Sequence, residues 1–317
     1  MSTVSSRLAV IAALMVAAVT VAVAVTRLES SSSPPRPVTA SLPAAPASYL
    51  GVYENGAPPG YQPVTEFAQA AGRPPSLVGY FSGWAQPFAQ SFAGKVREHA
   101  ATPLIQIDPT YASIAGIAAG DYDAYLRTYA ASVRSFGHPV VIGFAHEMNA
   151  PWYSWGYGHV QAHIFVRAWR HVVTLFREQG ADNVTWLWTI NGDRSDTGPI
   201  KSWWPGAKYV TWVGIDGYYY RPTDTFANVF GATIDQVRGF TSDPVLISET
   251  AVGPSAGQAA KIGDLFAGVV KYRTLGLVWF DNAQNQGIYH QDWRIEKSPA
   301  AEAALHQGVT DKLGHQP

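Results

Sequence analysis

Two glutamates far apart in the chain sit in the same kind of local setting. Glu147 follows the apolar run PVVIGFA at 139–145, and Glu249 closes PVLISE at 244–249. Few Lys or Arg residues lie near either one. The stretch HEMNAPWYSWG at 146–156 surrounds the first with Trp152, Tyr153 and Trp155. Two carboxyl groups without a cation between them suit a reaction that needs one proton donor and one anion. Cleavage of a glycosidic bond is such a reaction: one carboxylic acid protonates the departing oxygen, and a second carboxylate attacks or activates water. Aromatic supply agrees, since sugars pack apolar C–H faces on rings and pair hydroxyls with the polar tips of Tyr and Trp.

Other chemistries find less support. His146-Glu147 lacks the second histidine that a zinc-binding HExxH helix requires, because position 150 is alanine, and the nine histidines show no metal spacing. No GxSxG elbow marks a serine nucleophile. The chain has no cysteine, which removes disulfides and thiolate sites together. Neither a metal nor a cofactor is expected. A net charge of -1 and the absence of a Lys/Arg cluster argue against nucleic acid as a partner.

The elements that must position the two glutamates follow from the hydrophobic pattern. With 47% hydrophobic residues over 317 positions the chain can bury a large core. Short apolar runs predict strands at 49–53, 77–81, 103–108, 139–145, 183–190, 209–216, 244–249 and 275–281, and amphipathic stretches at 124–136, 163–180 and 259–276 predict helices between them. Eight such strands alternating with helical segments predict an α/β fold, a closed (β/α)8 TIM barrel over residues 49–310. In that fold the chemistry sits at the C-terminal ends of the strands. The polar and aromatic residues there are Trp84, His146, Glu147, Asn149, Asn191, Asp216, Tyr218, Glu249, Trp279 and Asp281. Trp152 and Trp279, at strand ends, are expected to contact ligand, and Trp155 is expected to form a further wall. Trp186 and Trp188 alternate along one strand, so packing is expected of at least one, while Trp203 and Trp204 fit helix packing and ligand contact equally.

The N-terminus reads differently. Leu8 to Thr26 is free of charge and long enough to span bilayer hydrocarbon, so residues 1–28 are expected to be a transmembrane anchor or a cleaved signal segment. Residues 29–48, rich in Ser, Pro and Ala, read as a disordered linker. Together they place the barrel outside the cytoplasm, anchored at the membrane or secreted, with a monomer expected.

The motifs as a set resemble glycoside hydrolase family 26. HEMNAPWYSWG, AWRHV at 168–172 with GADNVTWLW at 180–188, WPGAKYVTWVGIDGY at 204–218, ISE at 247–249 and VWF at 278–280 run in that family's order across most of residues 49–300. The resemblance implies a retaining endo-β-glycanase on the barrel, with Glu147 as acid/base and Glu249 as nucleophile. It implies that His146 contacts the nucleophile or substrate, that Tyr218 hydrogen-bonds the nucleophile, and that Trp152 and Trp279 shape the sugar subsite beside the scissile bond. Trp84 and Trp155 complete the expected substrate-binding residues. The chain departs from the family pattern at Gly143, where members often carry Arg, at Ala150, where Gly is usual, and in PLIQIDPTYAS, which lacks the Trp-His pair common in mannan-active members. The polysaccharide therefore stays open among mannan, mixed-linkage glucan and xylan. Two other readings remain at this level: a silent polysaccharide-binding barrel, and an enzyme that trims the cell's own envelope polysaccharide.

Overall fold

Each apolar run forms a strand: β1 Tyr49–Glu54, β2 Leu77–Gly83, β3 Thr102–Asp108, β4 Val140–Phe144, β5 Val184–Asn191, β6 Trp212–Asp216, β7 Val245–Thr250 and β8 Gly276–Asp281. Every strand pairs in parallel with the next in the chain, and β8 pairs with β1, which closes the expected barrel. The computed structural model describes residues 42–192, 196–284 and 291–314. The expected anchor or signal segment and residues 29–41 of the linker lie outside them. Among the described residues no helix is long and apolar enough to cross a membrane.

Among the described residues the α-helices are α1 Gln62–Ala71, α2 Gln90–Glu98, α3 Ile114–Ala119, α4 Asp123–Phe136, α5 Ala162–Glu178, α6 Ala232–Arg238, α7 Gln258–Lys271 and α8 Pro299–Lys312. Spacing explains why the long ones dock. In α4, Leu126, Tyr129, Ala130 and Val133 recur three and four residues apart and are buried on one face; in α5, Phe165, Ala168, Trp169, Val172 and Phe176 do the same. The helix expected at 259–276 is shorter than its pattern, because it ends at Lys271 and Gly276 opens β8 instead.

Side chains alternate along each strand between two environments. Val52, Ile105, Ile142, Trp186, Trp188 and Ile247 point outward into the layer under the helices. Tyr53, Leu77, Leu104, Val141, Leu187, Trp212 and Leu246 fill the barrel itself. The interior is packed by large residues leaning over small ones. The ring of Tyr53 lies where a β-carbon on Gly79 would be, 2.4 Å away, and the Gln106 carboxamide covers Gly143, where a β-carbon would lie 1.9 Å from Oε1. Gly143 thus leaves space that Gln106 takes, and Gln106 Nε2 donates to Thr189 Oγ1 at 3.1 Å.

Residues 42–48, read from composition as the end of the linker, are held against the barrel. Ala47 N donates to Thr274 O, Ser48 N to Leu275 O, and Tyr49 Oη to Pro43 O at 2.7 Å. Composition signals low hydrophobicity, but backbone groups beside a strand start can still be paired.

Replacing Gly143 by Ala is expected to destabilise the barrel by about 1–3 kcal/mol, since the added methyl meets a buried side chain. In a denaturant-unfolding cycle with Gln106→Ala the two changes are expected to be non-additive, the glycine substitution costing clearly less once the carboxamide is gone. Strict additivity would show that the collision is relieved elsewhere.

Candidate active site

The end of β4 departs from a plain strand. Ala145 and Glu147 have φ of 50° and 52°, a left-handed conformation that non-glycine residues adopt at a cost. Two backbone bonds hold it: Ala145 N donates to Ile107 O on the β3 side, and Glu147 N to Thr189 O on the β5 side, each at 2.9 Å. Successive strand residues would face opposite ways, yet here His146 meets a β3 side chain and Glu147 a β5 side chain. Two further contacts secure the turn. Trp155 Nε1 donates to His146 O at 2.8 Å, and Asn149 and Asn191 exchange side-chain and backbone bonds at 2.9 Å in a buried pair.

Glu147 is buried, and both of its carboxylate oxygens accept hydrogen bonds. Asn191 Nδ2 donates to Oε1 at 2.6 Å and Trp152 Nε1 to Oε2 at 2.7 Å. The Trp152 ring is nonetheless 41% exposed, so it leaves a face open to ligand while fixing the carboxylate.

Glu249 reaches the mouth through an irregularity in β7. Ile215 pairs with Ile247 but Asp216 pairs with Glu249, so Ser248 is the extra residue of a bulge. Ser248 Oγ turns to Asp216 Oδ1 at 2.5 Å, and Tyr218 Oη donates a short hydrogen bond to Glu249 Oε1. The Tyr218 ring is itself wedged against Trp293, with centroids 4.7 Å apart, and edge-on to Phe280 at 5.9 Å.

Charges at the mouth are strongly coupled. Burial pushes the Glu249 carboxyl up to about 7, and the nearby Glu147 charge adds to this; His146 and the Tyr218 hydroxyl pull the other way. Burial would lower His146, but the Asp108 carboxylate at 2.9 Å from Nδ1 outweighs it and raises the imidazole to about 10. His146 is therefore a cation at neutral pH, with Nε2 3.1 Å from Tyr153 Oη. Asp216 is fully enclosed, and burial first, then Glu249 and Glu147, hold its carboxyl well above the carboxylate range.

Not every expected binding residue is at the mouth. Trp279 is fully buried, points outward under the helices and donates Nε1 to Trp293 O at 3.1 Å; its neighbour Phe280 faces the site instead. Asp281 shares that outward face and accepts from Ile295 N at 2.7 Å. Trp155 is buried, stacked on Tyr153 at 4.4 Å, and supports the His146 turn rather than a sugar. Trp84 packs between Tyr122 and Tyr125 at the start of α4, with centroids 5.5 and 4.9 Å away. Trp203 is buried against Phe165, and Trp204 packs on Trp188, so both serve packing. Sequence reasoning passed over Asp108, which ends β3 and satisfied the strand-end rule. It also passed over Phe81, Phe280 and Trp293; only strand parity or tertiary contact reveals these.

A family model, "Glycosyl hydrolase family 26", matches residues 122–298, more than half of the chain. The chain belongs to this family. Endoglucanase H of Acetivibrio thermocellus is 27% identical over 271 residues, which are 80% of this chain and 29% of that protein. Beta-1,3-xylanase TXYA of a Vibrio species is 32% identical over 113 residues, 35% of this chain and 23% of the relative. The chain thus spans less than a third of either family relative. In fold it is similar to Bacillus subtilis mannanase BCman, with a TM-score of 0.63 at 17% identity over 86% of this chain and 87% of the other.

The Glu249 shift has a sign that stability can report. Between the ordinary carboxyl value of 4.5 and the folded value of about 7, the native protein holds a proton that the unfolded chain has lost. This contribution is therefore present below pH 4.5 and is lost as pH rises through 7. Glu249→Gln is expected to melt a few degrees higher than the wild type above pH 7, with the gap closing as pH falls toward 4.5. Parallel melting curves across that range would contradict the assignment.

Proposed function

We propose that the barrel is a retaining endo-β-glycanase that hydrolyses β-1,4 linkages of a neutral β-mannan or β-glucan polysaccharide by double displacement. The observation that carries the reading is the convergence of Glu147 and Glu249 in one electrostatic environment, each oriented by its own donors, Asn191 with Trp152 on one side and Tyr218 on the other. Glu249 attacks the anomeric carbon and forms a glycosyl ester, while Glu147 gives its proton to the departing glycosidic oxygen. Water then gives a proton to Glu147 as its oxygen bonds the anomeric carbon, and Glu249 is released as a carboxylate. Tyr218 occupies one oxygen of Glu249 and leaves the other to attack.

The reaction needs one proton on the pair. Double displacement places that proton on Glu147 and leaves Glu249 as the anion, so the Glu249 carboxyl, which burial pushes up to about 7, must ionise before it attacks. The exposed Trp152 ring supplies a platform for that sugar. Phe280 takes the position expected of Trp279. Family relatives named as an endoglucanase and a β-1,3-xylanase, and a mannanase of like fold, support a β-linked neutral glycan as substrate. The apolar run at 8–26 with its Ser/Pro/Ala linker supports action outside the cytoplasm.

Assay of mannan, mixed-linkage glucan and xylans with product sizing tests the reading. Glu147→Ala and Glu249→Ala are each expected to lower reducing-sugar release by about 10²- to 10⁴-fold, and the first product seen by NMR should keep the β-anomeric configuration. Inversion, or full activity in either variant, would sink the mechanism. Activity is also expected to rise as pH climbs through about 7, where the Glu249 carboxyl gives up its proton and becomes the attacking anion; a profile already at its plateau at pH 5 would contradict the raised value.

A further inference from the structure

Beside the mouth, an open groove of about 530 Å³ runs between the segment after β3 and the loop that leads into α5. Its walls include Thr110, Tyr111, Ser113, Ser154, His159 and Gln161. We propose that this groove is a distal subsite that holds the substrate polysaccharide beyond the cleaved bond, with the Tyr111 ring as its sugar platform. The inference rests on the reading of the barrel as a β-glycanase and extends it to a second contact region.

Three observations point to this ligand. The Tyr111 side chain is 93% exposed, yet its loop is tied down. Thr110 N donates to Asp108 O at 2.9 Å, Ala112 N to Pro109 O at 3.1 Å, and Ser113 N to Tyr122 Oη at 3.2 Å, while Ser113 Oγ caps α3. A bare ring on a braced loop meets a flat ligand without first being ordered. The lining holds no Asp, Glu, Lys or Arg, and His159 is engaged with Pro151 O at 2.9 Å, so hydroxyls and an amide face the groove and a neutral polyhydroxyl chain suits it better than any polyanion. Finally, both walls of the groove follow in the chain from residues that bond to His146. Asp108, the partner of His146, leads directly into Thr110 and Tyr111, and Ser154 follows Tyr153, whose hydroxyl meets His146 Nε2. The volume lies within the range of about 300–1,000 Å³ typical of ligand sites.

The test compares a long and a short substrate with the full chain. Tyr111→Ala is expected to lower kcat/KM on the soluble polysaccharide by about three- to tenfold, mostly through KM. An aryl disaccharide too short to reach the groove should lose clearly less, and Gln161→Ala should shift in the same sense. In affinity electrophoresis, Tyr111→Ala should be retarded less than wild type by a neutral β-glycan, with neither retarded by a carboxymethylated one. Equal losses on long and short substrates, or variants matching wild type on both, would overturn the groove while the glycanase reading stands. A wild type that cleaves no β-glycan would overturn that reading and the groove's ligand with it.

Discussion

Two carboxyl groups at one barrel mouth repel each other, and the groups around Glu147 and Glu249 offset that repulsion. Taking charge out of water adds to the cost. The offsets come from different strands. Asp108 on β3 keeps His146 charged, so a cation stands beside the pair. Asn191 from β5 donates to Glu147 and Tyr218 after β6 donates to Glu249, while burial and the neighbouring Glu249 and Glu147 push the Asp216 carboxyl well above the ordinary range. These groups come from β3 to β7, so the cluster depends on the curvature that gathers those strands around one mouth.

Holding such a cluster also requires stiffness, and the strain at Ala145 and Glu147 shows where it is applied. Left-handed backbone at a non-glycine residue costs roughly 1–2 kcal/mol, so it persists only where its surroundings over-determine it. Here the turn is bonded to both neighbouring strands, latched by the Asn149–Asn191 exchange and closed by the Trp155 indole. Beneath it, Tyr53 stacks on Phe81 at 5.0 Å, and Phe81 tilts against the His146 ring at 5.4 Å. Packing of the barrel interior is thereby transmitted to the imidazolium, and from there to the carboxyl pair. The bulge at Ser248 does for Glu249 what the left-handed turn does for Glu147: each re-aims one side chain without disturbing the sheet below.

The same physics explains what could be read from the amino-acid order. Strands buried on both faces appear as unbroken apolar runs, so all eight are visible, and the helices show through their three- and four-residue spacing. That continuity erases the alternation which would tell inside from outside. Trp279 and Phe280 are indistinguishable as a sequence pair, yet one is sealed under the helices and the other faces Tyr218. Glu147 and Glu249 were legible because charge at the end of an apolar run is conspicuous. An aromatic residue in a rim loop can as easily brace the loop as face a ligand: Trp155 is buried on Tyr153, and half-buried Trp84 packs between Tyr122 and Tyr125. Trp293 reaches Tyr218 from a distant segment, and nothing local announces that contact.

Two of the departures from the family pattern meet where β3 lies beside β4. Gly143 carries no side chain into the barrel, and Gln106 from β3 fills its place. The stretch lacking the Trp-His pair is the one that supplies Asp108, whose charge fixes the protonation of His146. Glu147, Asn191, Tyr218 and Glu249, from β4 to β7, form the proposed reaction centre. A change at Asp108 would reach Glu249 through His146, whose charge pulls the Glu249 carboxyl down, so the β3 segment and the acidity of Glu249 are electrostatically linked.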